Sequence, residues 1–368
     1  MTDTEYMRRA LELAGRGVGW TSPNPMVGAV VVKDGRVIGE GFHERCGEAH
    51  AERNALAHCT ESPAGATMYV TLEPCCHQGR QPPCTDAILE AGIARVVVGS
   101  DDPNPLVAGK GIDILRRAGV EVETGVLKAE CDALNYVFFH YITTGLPYVV
   151  MKYAMTLDGK IATCSGKSKW ITGEAAREQV HRDRSRYRAI MAGVGTVLAD
   201  DPMLNCRVEG GRDPVRVICD SHLRTPLTSR IVATAREIPT ILATVSADTE
   251  AAAPYEAAGC RVWTLPERGG RPDLTELMRR LGADGIDSVL LEGGGTLNWT
   301  ALESGIVNRV QAYIAPKLYG GAGAKSPVGG RGVEDPAGAV RLRDISIRRL
   351  GGDILLEGEV ESLVHGNS

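Results

Sequence analysis

The sequence is poor in aromatics, has no run of lysine or arginine, and holds no long apolar stretch. Each absence narrows what the chain can do. Proteins that grip single-stranded nucleic acid stack bases on aromatic side chains in a basic groove, and 5% aromatic content with a net charge of −5 supplies little of either. Without a basic cluster a long polyanion is a poor substrate, whereas a small anion needs only a local arginine or two. A membrane-spanning helix needs close to 20 apolar residues in a row, and none occurs. The opening "MTDTEYMRRALELAGRG" carries charges throughout and lacks the apolar core of a signal peptide, so it is expected to form an amphipathic helix in a cytoplasmic protein. Solenoid-period repeats are absent too.

Cysteine, by contrast, is plentiful, with ten in the chain. In a reducing compartment closely spaced cysteines serve metal binding or catalysis more readily than disulfides. A length of 368 residues exceeds one typical domain. The glycine and proline of "TTGLP" suggest a boundary there, giving domains 1–145 and 146–368.

The pattern along both halves is α/β. "MVGAVVVKDGRVIGEG" predicts a hairpin turning at Asp34 and Gly35. "AHAERNALAHC" and "PCTDAILEAG" have helical spacing, "ATMYVTLEP" and "IARVVVGS" read as strands, and "KAECDALNYVFFHYITTG" as one closing helix. In the second half, "YVVMKYAM", "RAIMAGV", "VRVICD", "IPTILATV", "SVLLEGGG" and "RVQAYIAPKL" are strand-like, and "TELMRRLGADG" is a helix. "SADTEAAAPYEAAGC" stands out only as low in complexity.

The chemistry concentrates in "HAERNALAHC" and "TLEPCCHQGRQPPC". His50 and Glu52 are two apart at the start of a helix, and Cys75 and Cys84 flank a loop. Zinc deaminases use H-x-E followed by P-C-x-x-C, with one histidine and two cysteines on the metal and the glutamate free to move protons. Here the second cysteine comes nine residues on, so Cys76 and His77 compete as ligands. A closed zinc knot of His50, Cys75, Cys76 or His77, and Cys84 is the structural alternative, and it has no use for a glutamate at that offset. His43 lies close enough in sequence to assist but is otherwise unremarkable.

Together with "TSPNPMVGAVVV", these segments resemble the deaminase half of the bifunctional RibD family of riboflavin biosynthesis, in which the longer cysteine spacing is usual. Gln81 departs from that family, where threonine is common. The likeness extends through "KYAMTLDGKIA", "SGKSKWIT", "HRDRSRYRAIMAGVGTVLADDPMLNCR" and "LLEGGGTLN" in the second half. It implies a cytidine-deaminase-like α/β/α sandwich followed by a dihydrofolate-reductase-like α/β domain, with Zn2+ and NADPH as cofactors. Zinc would sit on His50, Cys75 and Cys84, with Glu52 as catalytic base and Asn24 against the pyrimidine ring. NADPH contacts would be Ala154, Trp170, Thr196, Asp200 and the run Gly294, Gly295, Thr296, Leu297, Asn298, Trp299 and Thr300. Substrate contacts would be Ser168, Arg184, Leu204, Arg207 and Glu292. The partners implied are small pyrimidine ribosyl phosphates, without nucleic acid or membrane, and a homo-oligomer is compatible. Two arginines suit a sugar phosphate, because guanidinium binds phosphate oxygens in a fork. Lys152 is an unusual charge in an apolar strand, able to approach the sugar or to snorkel at an edge.

Overall fold

The computed structural model describes residues 1–79 and 81–361. The chain divides into two compact units, Met1–Gly145 and Leu146–Ser368. No helix among the described residues is long and apolar enough to cross a membrane.

In the first unit, β1 (Gly28–Lys33) and β2 (Arg36–Phe42) form the hairpin. Asp34 and Gly35 take positive φ values of 49° and 73°, the turn whose twist matches that of paired strands. With β3 (Thr67–Leu72), β4 (Arg95–Ser100) and β5 (Glu121–Thr124) they build a sheet of order β2-β1-β3-β4-β5, antiparallel around β1 and parallel from β3 to β5. Side chains alternate across a strand, so the sheet has two apolar faces. One carries α1 (Asp3–Ala14) through Tyr6, Met7 and Ala10 on Val30, Tyr69 and Val97. The other packs Ala29, Val31, Val70 and Val98 against α2 (Ala51–Ala57), α3 (Cys84–Glu90) and α4 (Lys110–Arg117). The antiparallel and parallel pairings therefore bring the start of β1 and the carboxyl ends of β3 and β4 to one edge of the sandwich.

The single closing helix expected from periodicity is two helices, α5 (Lys128–Leu134) and α6 (Tyr136–Thr144), broken at Asn135. Its side chain, 2% exposed, accepts from the Met26 amide at 2.8 Å and donates to the Met26 carbonyl at 3.0 Å. That two-way bond pins the loop carrying Asn24 to the helix pair. Tertiary bonding here overrides helix continuity, and spacing cannot reveal it.

The second unit is built on nine strands: β6 (Tyr148–Thr156), β7 (Ala189–Gly193), β8 (Val215–Cys219), β9 (Thr240–Thr244), β10 (Arg261–Thr264), β13 (Ser288–Leu291), β14 (Arg309–Ala315), β15 (Leu342–Leu350) and β16 (Asp353–Val360). The short pair β11 (Glu267–Arg268) and β12 (Arg271–Pro272) stands apart. Sheet order is β10-β9-β8-β7-β13-β6-β14-β16-β15, parallel as far as β14 and antiparallel beyond. Parallel strands covered on both faces read as continuous apolar runs, which is why "RAIMAGV" and "SVLL" were legible. Helices α7 (Glu174–Arg186), α8 (Val194–Asp200), α9 (Arg230–Ala233), α10 (Thr249–Ala257), α11 (Leu274–Ala283) and α12 (Gly295–Glu303) complete the unit. The low-complexity segment is α10, capped by Asp248, whose carboxylate accepts from the amides of Glu250 and Ala251, both at 3.0 Å. Buried Tyr255 fastens it to the core. Sequence periodicity does not mark the β15–β16 hairpin, since β15 is exposed along nearly its whole length and has no buried stripe.

Candidate active sites

His50 is the residue before α2 and Glu52 lies in the first turn of that helix, while Cys84 opens α3. Two features hold the helix starts together. The amide of Cys84 donates to the Cys75 carbonyl at 3.0 Å, and Arg53 on α2 donates to the Pro83 carbonyl at 2.8 Å. Gln81, the departure from the expected pattern, donates to the Gly47 carbonyl at 3.0 Å.

The result is a cluster in which one ligand atom each from His50, Cys75 and Cys84 lies within 4.8 Å of the others. His50 Nδ1 stands 3.5 Å from the Cys75 Sγ and 3.4 Å from the Cys84 Sγ. Hydrogen bonding from Cys84, and from His50, holds the Cys75 thiol well below its ordinary pKa against the opposing effect of burial. His50 is raised, chiefly by its hydrogen bond to Cys75. A thiolate beside a proton-rich imidazole is a donor set ready to exchange protons for a cation. Two sulfurs and one imidazole fit zinc, and three ligands leave its fourth position for water. Cys76 points elsewhere, with its thiol 3.9 Å from the Leu106 carbonyl.

Glu52 is 3% exposed, and burial, then the charge of Cys75, pushes its carboxyl up to about 7. A dication on the neighbouring ligands works in the opposite direction. The pocket lined by His50, Glu52 and Cys75 has a volume of about 370 Å3 and is also lined by Asn24, His43, Asp102, Asn104 and Phe138. His43 belongs to the site more firmly than its sequence context suggests. Its Nδ1 lies 3.1 Å from the Ala49 carbonyl, leaving Nε2, 3.2 Å from the Asn24 amide nitrogen, as the acceptor. Burial lowers its pKa, which favours that neutral tautomer. No local pattern marks His43; only the approach of the Asn24 loop brings it in.

In the second unit a cleft of about 830 Å3 opens beyond the carboxyl ends of β7, β8 and β13, the usual location for ligands in α/β sheets. Ser168, Thr196, Asp200, Gly294, Gly295, Thr296, Leu297 and Thr300 line it. A Cβ on Gly293 would fall 2.5 Å from the Asn298 side-chain oxygen, and one on Gly295 would fall 2.8 Å from the Ser326 carbonyl, whereas Gly294 faces open space. Glycine thus permits the tight turn, and the start of the nine-residue α12 meets the cleft with free amides suited to a phosphate. The residues and the space fit a dinucleotide.

Other expected contacts are not among the residues that line this cleft. The Asn298 side chain is fully buried and donates to the Pro327 carbonyl at 2.8 Å. Trp299 packs on Gly330. Trp170 is exposed beneath the Arg177 guanidinium at 4.9 Å. Ala154 borders a small core around Tyr313, and Leu204 is buried in the core under α8. Arg184 does not stand free: its Nε and Nη2 hold both oxygens of Glu292 at 2.7 and 2.9 Å. Lys152 completes this group, its Nζ 3.6 Å from Glu292. Burial works against the charge on Glu292, but Arg184 and Lys152 outweigh it and hold the carboxyl at about 2. Arg207 is exposed and has no ion pair among the described residues.

Comparison with known proteins matches both units. The cytidine and deoxycytidylate deaminase zinc-binding region covers residues 1–100, and the RibD C-terminal domain covers residues 147–356. The chain is 58% identical to the riboflavin biosynthesis protein RibD of Actinobacillus pleuropneumoniae, over 97% of this chain and 95% of that one. The chain belongs to the RibD family. RibD of Escherichia coli is 42% identical over 97% of this chain and 99% of its own. The solved structure of Acinetobacter baumannii RibD superposes with a TM-score of 0.87 at 39% identity, covering 98% of this chain and 99% of that one. A Thermotoga maritima structure, described as a diaminohydroxyphosphoribosylaminopyrimidine deaminase and 5-amino-6-(5-phosphoribosylamino)uracil reductase, gives 0.86 at 38% identity with the same coverage. As a RibD protein the chain is a bifunctional enzyme of riboflavin biosynthesis, joining a zinc-binding deaminase domain to an NADPH-dependent reductase domain.

Proposed function

We propose that the first unit hydrolyses the 2-amino group of 2,5-diamino-6-(5-phospho-ribosylamino)pyrimidin-4(3H)-one, and that the second reduces the ribosyl group of the resulting 5-amino-6-(5-phospho-ribosylamino)uracil to ribityl. The observation that carries this reading is the His50, Cys75 and Cys84 cluster with the buried, uncoordinated Glu52 beside it. Those three residues would hold zinc, which would act as a Lewis acid and bring the pKa of water to about 7. Glu52 takes one proton from the attacking water and gives it to the ring nitrogen. It then takes the proton of the newly added hydroxyl and gives it to the amino group, which leaves as ammonia as the C–N bond breaks and the carbonyl forms. Asn24, held by His43, orients the ring.

In the reductase, NADPH held along the cleft by Thr196, Asp200 and the Gly294–Thr296 turn would supply a hydride for C1′ of the sugar. Lys152, fixed by Glu292, gives the proton that the ribose oxygen needs as the ring opens. Arg207 supplies the uncommitted positive charge for the substrate phosphate, beside Arg184, whose own charge Glu292 already balances. The enzyme acts on small phosphorylated molecules in the cytoplasm, without nucleic acid or membrane as a partner. Ammonia release from the diamino substrate and NADPH oxidation with the deaminated substrate, each assayed on purified protein, test the two halves separately.

A further inference from the structure

Glu73 is buried, 3% exposed, two residues before the Cys75 ligand, and lines the deaminase pocket. The proton transfers derived above do not use it. Its carboxylate meets main-chain amides: Oε1 accepts from Gly111 at 3.0 Å and Ile112 at 3.2 Å, and Oε2 accepts from Gly109 at 2.9 Å. No basic side chain pairs with it among the described residues. Helix α4 has no capping side chain of its own, because its cap position is Gly109, at φ 79°. The first amides of a helix have no partner within it, and a negative charge there is favoured by the helix dipole. Glu73 therefore caps α4 from a distant segment. The fit is close, since a Cβ on Gly111 would fall 2.2 Å from the Pro74 carbonyl.

The loop leading into α4 forms the pocket wall. Asp102 accepts from the Asn104 amide at 2.8 Å, and Asn104 accepts from the Leu106 amide at 3.0 Å, so successive side-chain turns set its shape. Asp102, Asn104 and Val107 all face the pocket. We propose that Glu73 is a positioning residue that fixes this wall to the metal-ligand segment, setting the distance between bound substrate and the zinc site. The proposal rests on the deaminase reading given above. It requires no change in the charge of Glu73, only that both oxygens accept.

Glu73→Gln tests it, because the amide group turns a donor toward donors on one side. The variant is expected to keep about one zinc per chain and normal reductase turnover, while the deaminase KM for the diamino substrate rises at least tenfold. An unchanged KM with zinc retained, or loss of the zinc, would overturn the proposal. Hydrogen exchange on the wild-type chain decides the matter if the variant does not fold. Gly111 and Ile112 amides should exchange as slowly as sheet amides, and exchange at the rate of open helix ends would refute the capping. A wild-type enzyme that released no ammonia would defeat the deaminase reading while leaving that exchange result intact.

Discussion

Replacing Glu292 with glutamine removes one negative charge from between two buried positive ones. Side chains of Lys152, Arg184 and Glu292 are only 13%, 14% and 12% exposed, so solvent screens the group weakly. The carboxyl is held at about 2, against an ordinary 4.5. At ~1.4 kcal/mol per pH unit, that gap corresponds to about 3 kcal/mol of folding free energy, in line with the roughly 3–5 kcal/mol cost of breaking a buried pair. Because the folded pKa is depressed, this contribution is present in full above pH 4.5 and is lost as pH falls toward 2. Denaturant unfolding followed by tryptophan fluorescence reports mainly on the second unit, which holds Trp170, Trp263 and Trp299 of the four tryptophans. Glu292→Gln should be less stable than wild type by about 3 kcal/mol at pH 7, with the difference shrinking as pH is lowered from 4.5. Equal stability at pH 7, or a difference that does not change with pH, would refute the assignment of the charge balance to Glu292.

Further outcomes follow from the same geometry. Cys84→Ala should lose zinc on metal analysis and lose ammonia release, whereas Cys76→Ser should keep both, since the Cys76 thiol faces the Leu106 carbonyl. Asn135→Leu should weaken deaminase substrate binding by roughly tenfold, the scale of a lost hydrogen bond of about 1.5 kcal/mol, because the Met26 backbone and the loop bearing Asn24 lose their anchor. With a substrate lacking the phosphate, wild type should bind far more weakly, and Arg207→Ala should discriminate much less; an unchanged preference in the variant would remove Arg207 from phosphate binding.

Much of this fold was legible in the chain because its parallel strands are buried on both faces and its first hairpin turns on Asp34 and Gly35. The meeting of His50, Cys75 and Cys84 was legible because zinc chemistry restricts residue types, and the resemblance to the family, with its longer loop, pointed to Cys84 over Cys76. What escaped sequence reading depends on partners remote in the chain. Asn135 breaks a helix for the sake of Met26, 109 positions away. His43 enters the pocket through Asn24. Arg184 looked like one end of a phosphate fork, but Glu292, 108 positions away, occupies its guanidinium. The exposed β15 strand carries no inward stripe to announce it.

Two linked sites, each with its own chemistry, make a stoichiometric prediction. Purified wild-type protein supplied with the diamino substrate and NADPH should release one ammonia for each NADPH oxidised. Glu52→Gln, with zinc intact, should do neither on that substrate, yet should oxidise NADPH at the wild-type rate when given the deaminated uracil compound. NADPH oxidation by Glu52→Gln on the diamino substrate, or none on the deaminated one in a folded protein, would contradict the account.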